Sequence, residues 1–266
     1  MTPPAAAVLA EGELVLEGAS RSFALAHERS RTLKEAFIGP FGRGRAASRV
    51  DALSNVDLHV APGEAVGIVG RNGAGKTSTM RCLAGIVPLD SGRAECGGRV
   101  VSLLELGAGF GDDFSGRENI YLSGALYGFS REEIEQRVEE IVAFSELGEF
   151  IDVPVKTYSD GMFLRLGFSI VAHLDADVML IDEVLAVGDE SFQAKCFRRI
   201  SEQMESGVTL VLVSHDPKAI EAVCRRLVVL DAGRIAFDGE VSEGLAHYHR
   251  LLAGEGDGAV REFENG

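Results

Sequence analysis

Residues 70 to 77 read Gly-Arg-Asn-Gly-Ala-Gly-Lys-Thr, which fits a phosphate-binding P-loop at every fixed position. Glycines at 70, 73 and 75 free the backbone to curl, so that successive N–H groups face phosphate oxygens where a helix begins. Gly70, Asn72, Gly73, Ala74, Gly75, Lys76, Thr77 and Ser78 would thus cradle a nucleoside triphosphate. Lys76 would reach the β- and γ-phosphates and stabilise the transferring charge, while Thr77 would hold Mg²⁺. A second set of chemistry-bearing residues lies about a hundred positions on. Asp182 closes an apolar run, the place from which a carboxylate holds Mg²⁺ through a coordinated water. Glu183, next to it, can orient and polarise the water that attacks the γ-phosphate. His215, between Ser214 and Asp216 at the end of another apolar run, could bond the γ-phosphate or hold that water; a structural histidine is the plainer alternative.

These residues need elements to position them. Residues 64 to 69 have the length and apolar content of a buried strand, and residues 76 to 83 can open a helix, so the P-loop has a strand–loop–helix context. Residues 178 to 181 and 209 to 213 are short apolar runs of the kind buried in a parallel sheet. In such a sheet ligands collect at the carboxyl ends of the strands, which would bring Asp182, Glu183 and His215 toward the P-loop. Residues 13 to 17 suggest an opening strand and residues 99 to 104 another, the latter followed by the glycine-rich 106 to 111, a candidate hinge. Ser130 and Glu133 form a capping box before Ile134, Val138, Ile141 and Phe144, which predicts one amphipathic helix. Ser159 or Asp160 can cap another helix, with Gly161 allowing close approach.

Bulk properties narrow the class. With 266 residues and 46% hydrophobic content, the chain can bury a substantial α/β core, with room for a helical subdomain. A net charge of -15 argues against wrapping a nucleic-acid backbone. Cys82, Cys96, Cys196 and Cys224 lack metal-ligand spacing and read as buried free thiols, which suits a reducing cytoplasm. No apolar run is long enough to span a bilayer, so any membrane crossing falls to another chain. Within this acidic chain, residues 27 to 49 form a basic island, with Arg29, Arg31, Lys34, Arg43, Arg45 and Arg49 against Glu28 and Glu35. It is either a solvated loop or a surface facing anionic lipid or a membrane subunit, with Leu33, Phe37 and Ile38 able to form a short amphipathic helix.

Together the P-loop, the segment Tyr158-Ser159-Asp160-Gly161-Met162, the acidic pair at 182 and 183, Asp189 and His215 resemble the ATP-binding cassette (ABC) ATPases in order and spacing. The resemblance covers roughly residues 12 to 250 and implies an α/β fold with a P-loop NTPase core. That core has a mainly parallel sheet, an N-terminal antiparallel β portion and an inserted α-helical subdomain at about 112 to 172. Residues 1 to 11 are expected to be a flexible terminus and 251 to 266 a polar tail. The resemblance also implies a head-to-tail homodimer holding ATP and Mg²⁺. Ser159 and Gly161 would contact the γ-phosphate of the nucleotide on the other copy, and Asp189 would sit in the loop coupling the two sites. Phe23, in Ser20-Arg21-Ser22-Phe23, matches the aromatic residue that stacks on the base, a core phenylalanine being the alternative.

Longer matches at residues 105 to 110, 116 to 121, 158 to 162 and 182 to 189 are similar to the ATPase subunits of polysaccharide exporters. Those subunits act with an integral-membrane permease at the cytoplasmic face of the cell membrane to move a lipid-linked glycan such as O-antigen or teichoic acid. They carry an insertion where residues 27 to 49 lie. The chain departs from the wider family in lacking the usual glutamine near 105 to 109, where Glu105 is the candidate replacement, and in having Asp160 and Met162 within the signature. The carbohydrate-binding domain that some relatives carry is not expected after Tyr248, so sugar selectivity is expected elsewhere. A transporter ATPase for a lipid or drug, or a non-transport cassette protein, are the other readings.

Overall fold

The computed structural model describes residues 9–24, 49–104, 107, 109–182 and 188–254. Glu105, Glu183 and the basic island up to residue 48 lie outside them. Among the described residues there are two sheets. The first is antiparallel, with order β2–β1–β4, and joins β1 (Leu14–Ala24), β2 (Arg49–Val60) and β4 (Ser91–Cys96). The second has order β5–β6–β7–β3–β8–β9. It comprises β5 (Val100–Ser102), β6 (Val178–Asp182), β7 (Thr209–Val213), β3 (Ala65–Gly70), β8 (Arg226–Asp231) and β9 (Arg234–Glu240), and only β9 runs antiparallel to its neighbour.

The apolar runs read as buried strands are buried on both faces. In β3, Val66 and Ile68 point to the core shared with the antiparallel sheet, and Ala65 and Val69 to the core under the helices. The same alternation divides β6, β7 and β8. The six-stranded sheet is therefore the middle layer. On one side lie the antiparallel sheet and α1 (Lys76–Leu83); on the other lie α5 (Asp160–Val171), α6 (Glu190–Glu205), α7 (Pro217–Val223) and α8 (Val241–Ala253).

Between β5 and β6 the chain builds a helical portion from α2 (Gly116–Leu126), α3 (Arg131–Glu135), α4 (Val138–Ser145) and α5. The single helix predicted after Ser130 is in fact two. Ser130 and Glu133 do make their reciprocal cap, but the Arg137 N–H bonds the carbonyl of Ile134, a tighter turn than an α-helix has. The Arg137 guanidinium is meanwhile drawn to Asp175 at 2.8 Å. The strand predicted over 99 to 104 is shorter, because the Ser102 hydroxyl takes the N–H of Leu104 and ends the ladder after Leu103. At the carboxyl end, α8 runs on to Ala253 and closes at left-handed Gly254, so residues 251 to 253, expected in a polar tail, are helical. At the other end Ala10 N–H donates to Glu13 Oε2 at 2.9 Å and Glu13 N–H donates back to Ala10 O at 3.0 Å, so the chain is held just within the stretch expected to be loose.

Candidate active site

β3 delivers the P-loop between its parallel neighbours β7 and β8, and β6 lies just beyond β7. Asp182 ends β6 in register with Val213, the last residue of β7, and His215 follows two residues later. The carboxyl ends of three neighbouring strands thus meet at one edge, the crevice in which open α/β sheets place their ligands.

The loop is shaped by contacts that exclude side chains. A Cβ at Gly70 would lie 2.3 Å from the carbonyl oxygen of Leu230, and one at Gly75 2.3 Å from that of Ala52. Gly75 has φ 104, a left-handed conformation, and acts as N-cap of α1. The turn between β8 and β9 braces the loop from behind: Gly233 N–H donates to Ala74 O at 3.0 Å, and Ser54 N–H donates to Gly233 O at 2.8 Å. Ala52 and Gly233 were not singled out from the sequence. The Asp231-Ala232-Gly233-Arg234 turn between two strand-like runs was a visible signal for the second, but nothing local tied it to the P-loop.

Lys76 is buried, and its ammonium donates to the carbonyls of Gly70 at 2.8 Å and Arg71 at 3.2 Å. Burial lowers its pKa, against an upward pull from Asp182. Thr77 Oγ1 donates to Asp182 Oδ2 at 3.4 Å, a long contact that leaves both oxygens close enough to share a ligand. Burial raises the pKa of Asp182, while the Thr77 hydroxyl, Lys76, His215 and Arg81 each lower it. His215 keeps solvent contact; partial desolvation and then Lys76 lower its pKa, and Asp182 raises it. Lys76, Thr77, Asp182 and His215 are therefore one electrostatic cluster, and the sequence did not single out Arg81 as a member.

The remaining sequence candidates stand elsewhere. Ser159 caps α5, accepting the Met162 N–H at 3.3 Å, at an exposed helix start. Among the described residues a Cβ at Gly161 would meet only Ser159 Oγ, at 3.9 Å, so this end of α5 is open. Asp189 caps α6 and pairs with Arg165 at 2.8 Å. Phe23 is 40% exposed at the end of β1, under the Arg21 guanidinium at 4.9 Å, and belongs to neither core.

The same architecture is found in known proteins. The ABC transporter family profile matches residues 53–186. This chain belongs to the ABC transporter family. The ABC transporter protein AbcA of Aeromonas salmonicida is 42% identical over 254 residues, 95% of this chain and 81% of that relative. The O-antigen export system ATP-binding protein RfbB of Klebsiella pneumoniae is 46% identical over 202 residues, 76% of this chain and 82% of the relative. The teichoic acids export ATP-binding protein TagH of Lactococcus lactis is 41% identical over 201 residues, 76% of this chain but 43% of TagH. A solved dimer of the ATP-binding cassette MJ0796, bound to ADP and Pi, superposes with TM-score 0.67 over 86% of this chain and 98% of its own, at 18% identity. As an ABC transporter chain it binds ATP, and the loop at Gly70 to Ser78 fits a phosphate chain: packing excludes side chains at Gly70 and Gly75, the loop runs into the N-terminus of α1, and the buried Lys76 ammonium lies against it.

Proposed function

We propose that this chain is the ATP-hydrolysing subunit of a polysaccharide exporter. Two copies close head to tail on two ATP, and closure drives a membrane permease at the cytoplasmic face to move a lipid-linked glycan. The observation that carries the chemistry is the pairing of Thr77 with Asp182 beside buried Lys76, at one edge of the sheet. Thr77 and Asp182 would hold Mg²⁺, which when bound neutralises charge on the phosphate oxygens. The Lys76 ammonium exchanges the loop carbonyls for the β- and γ-phosphates. Glu183 accepts a proton from the attacking water as its oxygen bonds the γ-phosphorus and the bond to ADP breaks, with His215 steadying the γ-phosphate. The open start of α5 supports Ser159 and Gly161 as ligands of the nucleotide on the second copy, and Phe23 as an exposed ring supports stacking on the base.

The names of the relatives, O-antigen and teichoic acids export proteins, support the cargo class. Among the described residues no helix is long and apolar enough to cross a membrane, in keeping with a separate permease. The decisive experiment uses Glu183→Gln, which should bind ATP without turning it over and elute as a dimer by size exclusion with light scattering. A monomer under saturating Mg-ATP would refute the closure mechanism. For the cargo, loss of the chain in its host should leave lipid-linked glycan inside the cell; unchanged surface glycan would redirect the search to another cargo.

A further inference from the structure

We propose that Arg165 is a positioning residue that joins the Ser159 helix to Asp189, so that the two segments meeting a second copy move as one body; this rests on the closure reading above. Arg165 lies on α5, six residues beyond Ser159. One arm of its guanidinium, Nη2, donates to Asp189 Oδ2 at 2.8 Å; the other, Nη1, donates to Glu146 Oε2 at 3.0 Å. Its plane lies over the Phe192 ring of α6 at 4.6 Å.

The acceptors are set up for this. Asp189 divides its two oxygens: Oδ1 takes the Phe192 N–H at 2.9 Å and the Ser191 hydroxyl at 2.7 Å, which caps α6, and Oδ2 is left for Arg165. Glu146 ends α4 in a left-handed conformation with φ 57, uncommon for a side-chain-bearing residue. Its carboxylate is also held by Lys195 of α6 at 2.7 Å, and Lys195 donates a second bond to Phe144 O at 3.0 Å. One guanidinium therefore ties α4, α5 and the start of α6. A cap needs only Oδ1, so the bond from Oδ2 to α5 adds nothing to the helix start itself.

Energy does not explain the arrangement. The Asp189 carboxylate is 63% exposed, and a pair so open to water contributes little to stability. Geometry does explain it. A planar fork can serve two carboxylates in fixed directions at once, which a lysine cannot. Asp189 also follows Glu183 by six residues, so holding it fixes where the chain leaving the hydrolytic carboxylate must arrive. ATP bound through Ser159 would then set Asp189 as well, and each site would report its occupancy to the other.

The test compares the full-length chain with Arg165→Gln and Arg165→Lys, each alone and with Glu183→Gln. In Arg165→Gln, binding of a fluorescent ATP analogue to the monomer should be unchanged, because the P-loop is untouched. Half-maximal dimerisation should need about tenfold more ATP, within the usual range of coupling between sites. The Hill coefficient of ATPase activity should fall toward one, and Arg165→Lys should restore part of it. Melting temperature monitors folding; if Arg165→Gln does not fold, Arg165→Lys still keeps one contact and must show the reduced cooperativity. Dimerisation and cooperativity that are the same with and without Arg165 overturn the proposal alone. No ATP-dependent dimer in Glu183→Gln with Arg165 intact overturns the closure reading itself, and this proposal with it.

Discussion

At the scale of single residues the site is a balance between burial and charge. Asp182 has its pKa raised by burial, so its charged form is disfavoured in the nucleotide-free fold. A raised acid pKa stabilises the protonated folded form at low pH and penalises folding above the folded pKa, where the group is charged in both states. Asp182→Asn should therefore leave the urea midpoint of the nucleotide-free protein at pH 7 unchanged or higher, while ATPase activity falls at least about a hundredfold. A large drop in the midpoint would show that Asp182 is needed for the fold and not for the nucleotide. His215 offers a signed titration. Its imidazole should titrate below its usual 6.5, moving lower still in Asp182→Asn and higher in Lys76→Ala, because Asp182 raises it and Lys76 lowers it. NMR of the ring protons reads all three values, and shifts of opposite sign would separate His215 from the cluster.

At the scale of elements, the site depends on how three helices and one loop are held. Phe144 of α4, Phe168 of α5 and Phe192 of α6 meet with ring centres 5.7 to 6.3 Å apart, the offset and edge-on range that favours aromatic pairs. Phe168 is fully buried, so Phe168→Ala should cost roughly 3–5 kcal/mol by denaturant unfolding. Phe150, 56% exposed, should cost within about 0.5 kcal/mol when cut to alanine. Equal losses at the two positions would contradict the helical core. The loop offers the converse experiment. Gly75→Ala adds a methyl where φ is 104 and the Ala52 carbonyl is 2.3 Å away, and should cost about 2 kcal/mol. It should also weaken ATP binding, as read by nucleotide fluorescence; a silent substitution would mean that the loop does not need this backbone.

At the scale of the molecule, nucleotide binding should appear as stability. A ligand that binds only the folded chain at about a hundred times its Kd adds about 2.7 kcal/mol. Mg-ATP should accordingly raise the melting temperature, chelation of the metal should reduce the rise, and Lys76→Ala should remove most of it. A melting temperature indifferent to ATP would deny the P-loop its role. The layered arrangement makes this coupling local, because the cradle lies where three strands of the middle sheet end, while Ser159 and Gly161 stand at the open start of α5. The isolated chain brings the first set together, and the closure proposed above assigns the second to the nucleotide of a partner copy.

Much of this was legible in the order of residues. The P-loop, the apolar runs over 178 to 181 and 209 to 213, and the caps at Ser130 and Ser159 are local patterns, and local patterns survive folding because backbone geometry and burial act over a few residues. The adjacency of Asp182, Thr77 and His215 also followed, since parallel strands gather their carboxyl ends. What the tertiary structure decided were the interactions between distant segments. Only packing shows Gly233 and Ala52 bracing the loop, the break between α3 and α4 at Arg137, and Phe23 lying outside both cores. The fork of Arg165 between Glu146 and Asp189 is of the same kind: its partners stand 19 and 24 residues away on other elements. No periodicity records which carboxylate a guanidinium will meet, because that choice is made by the distance between helices once the core has closed.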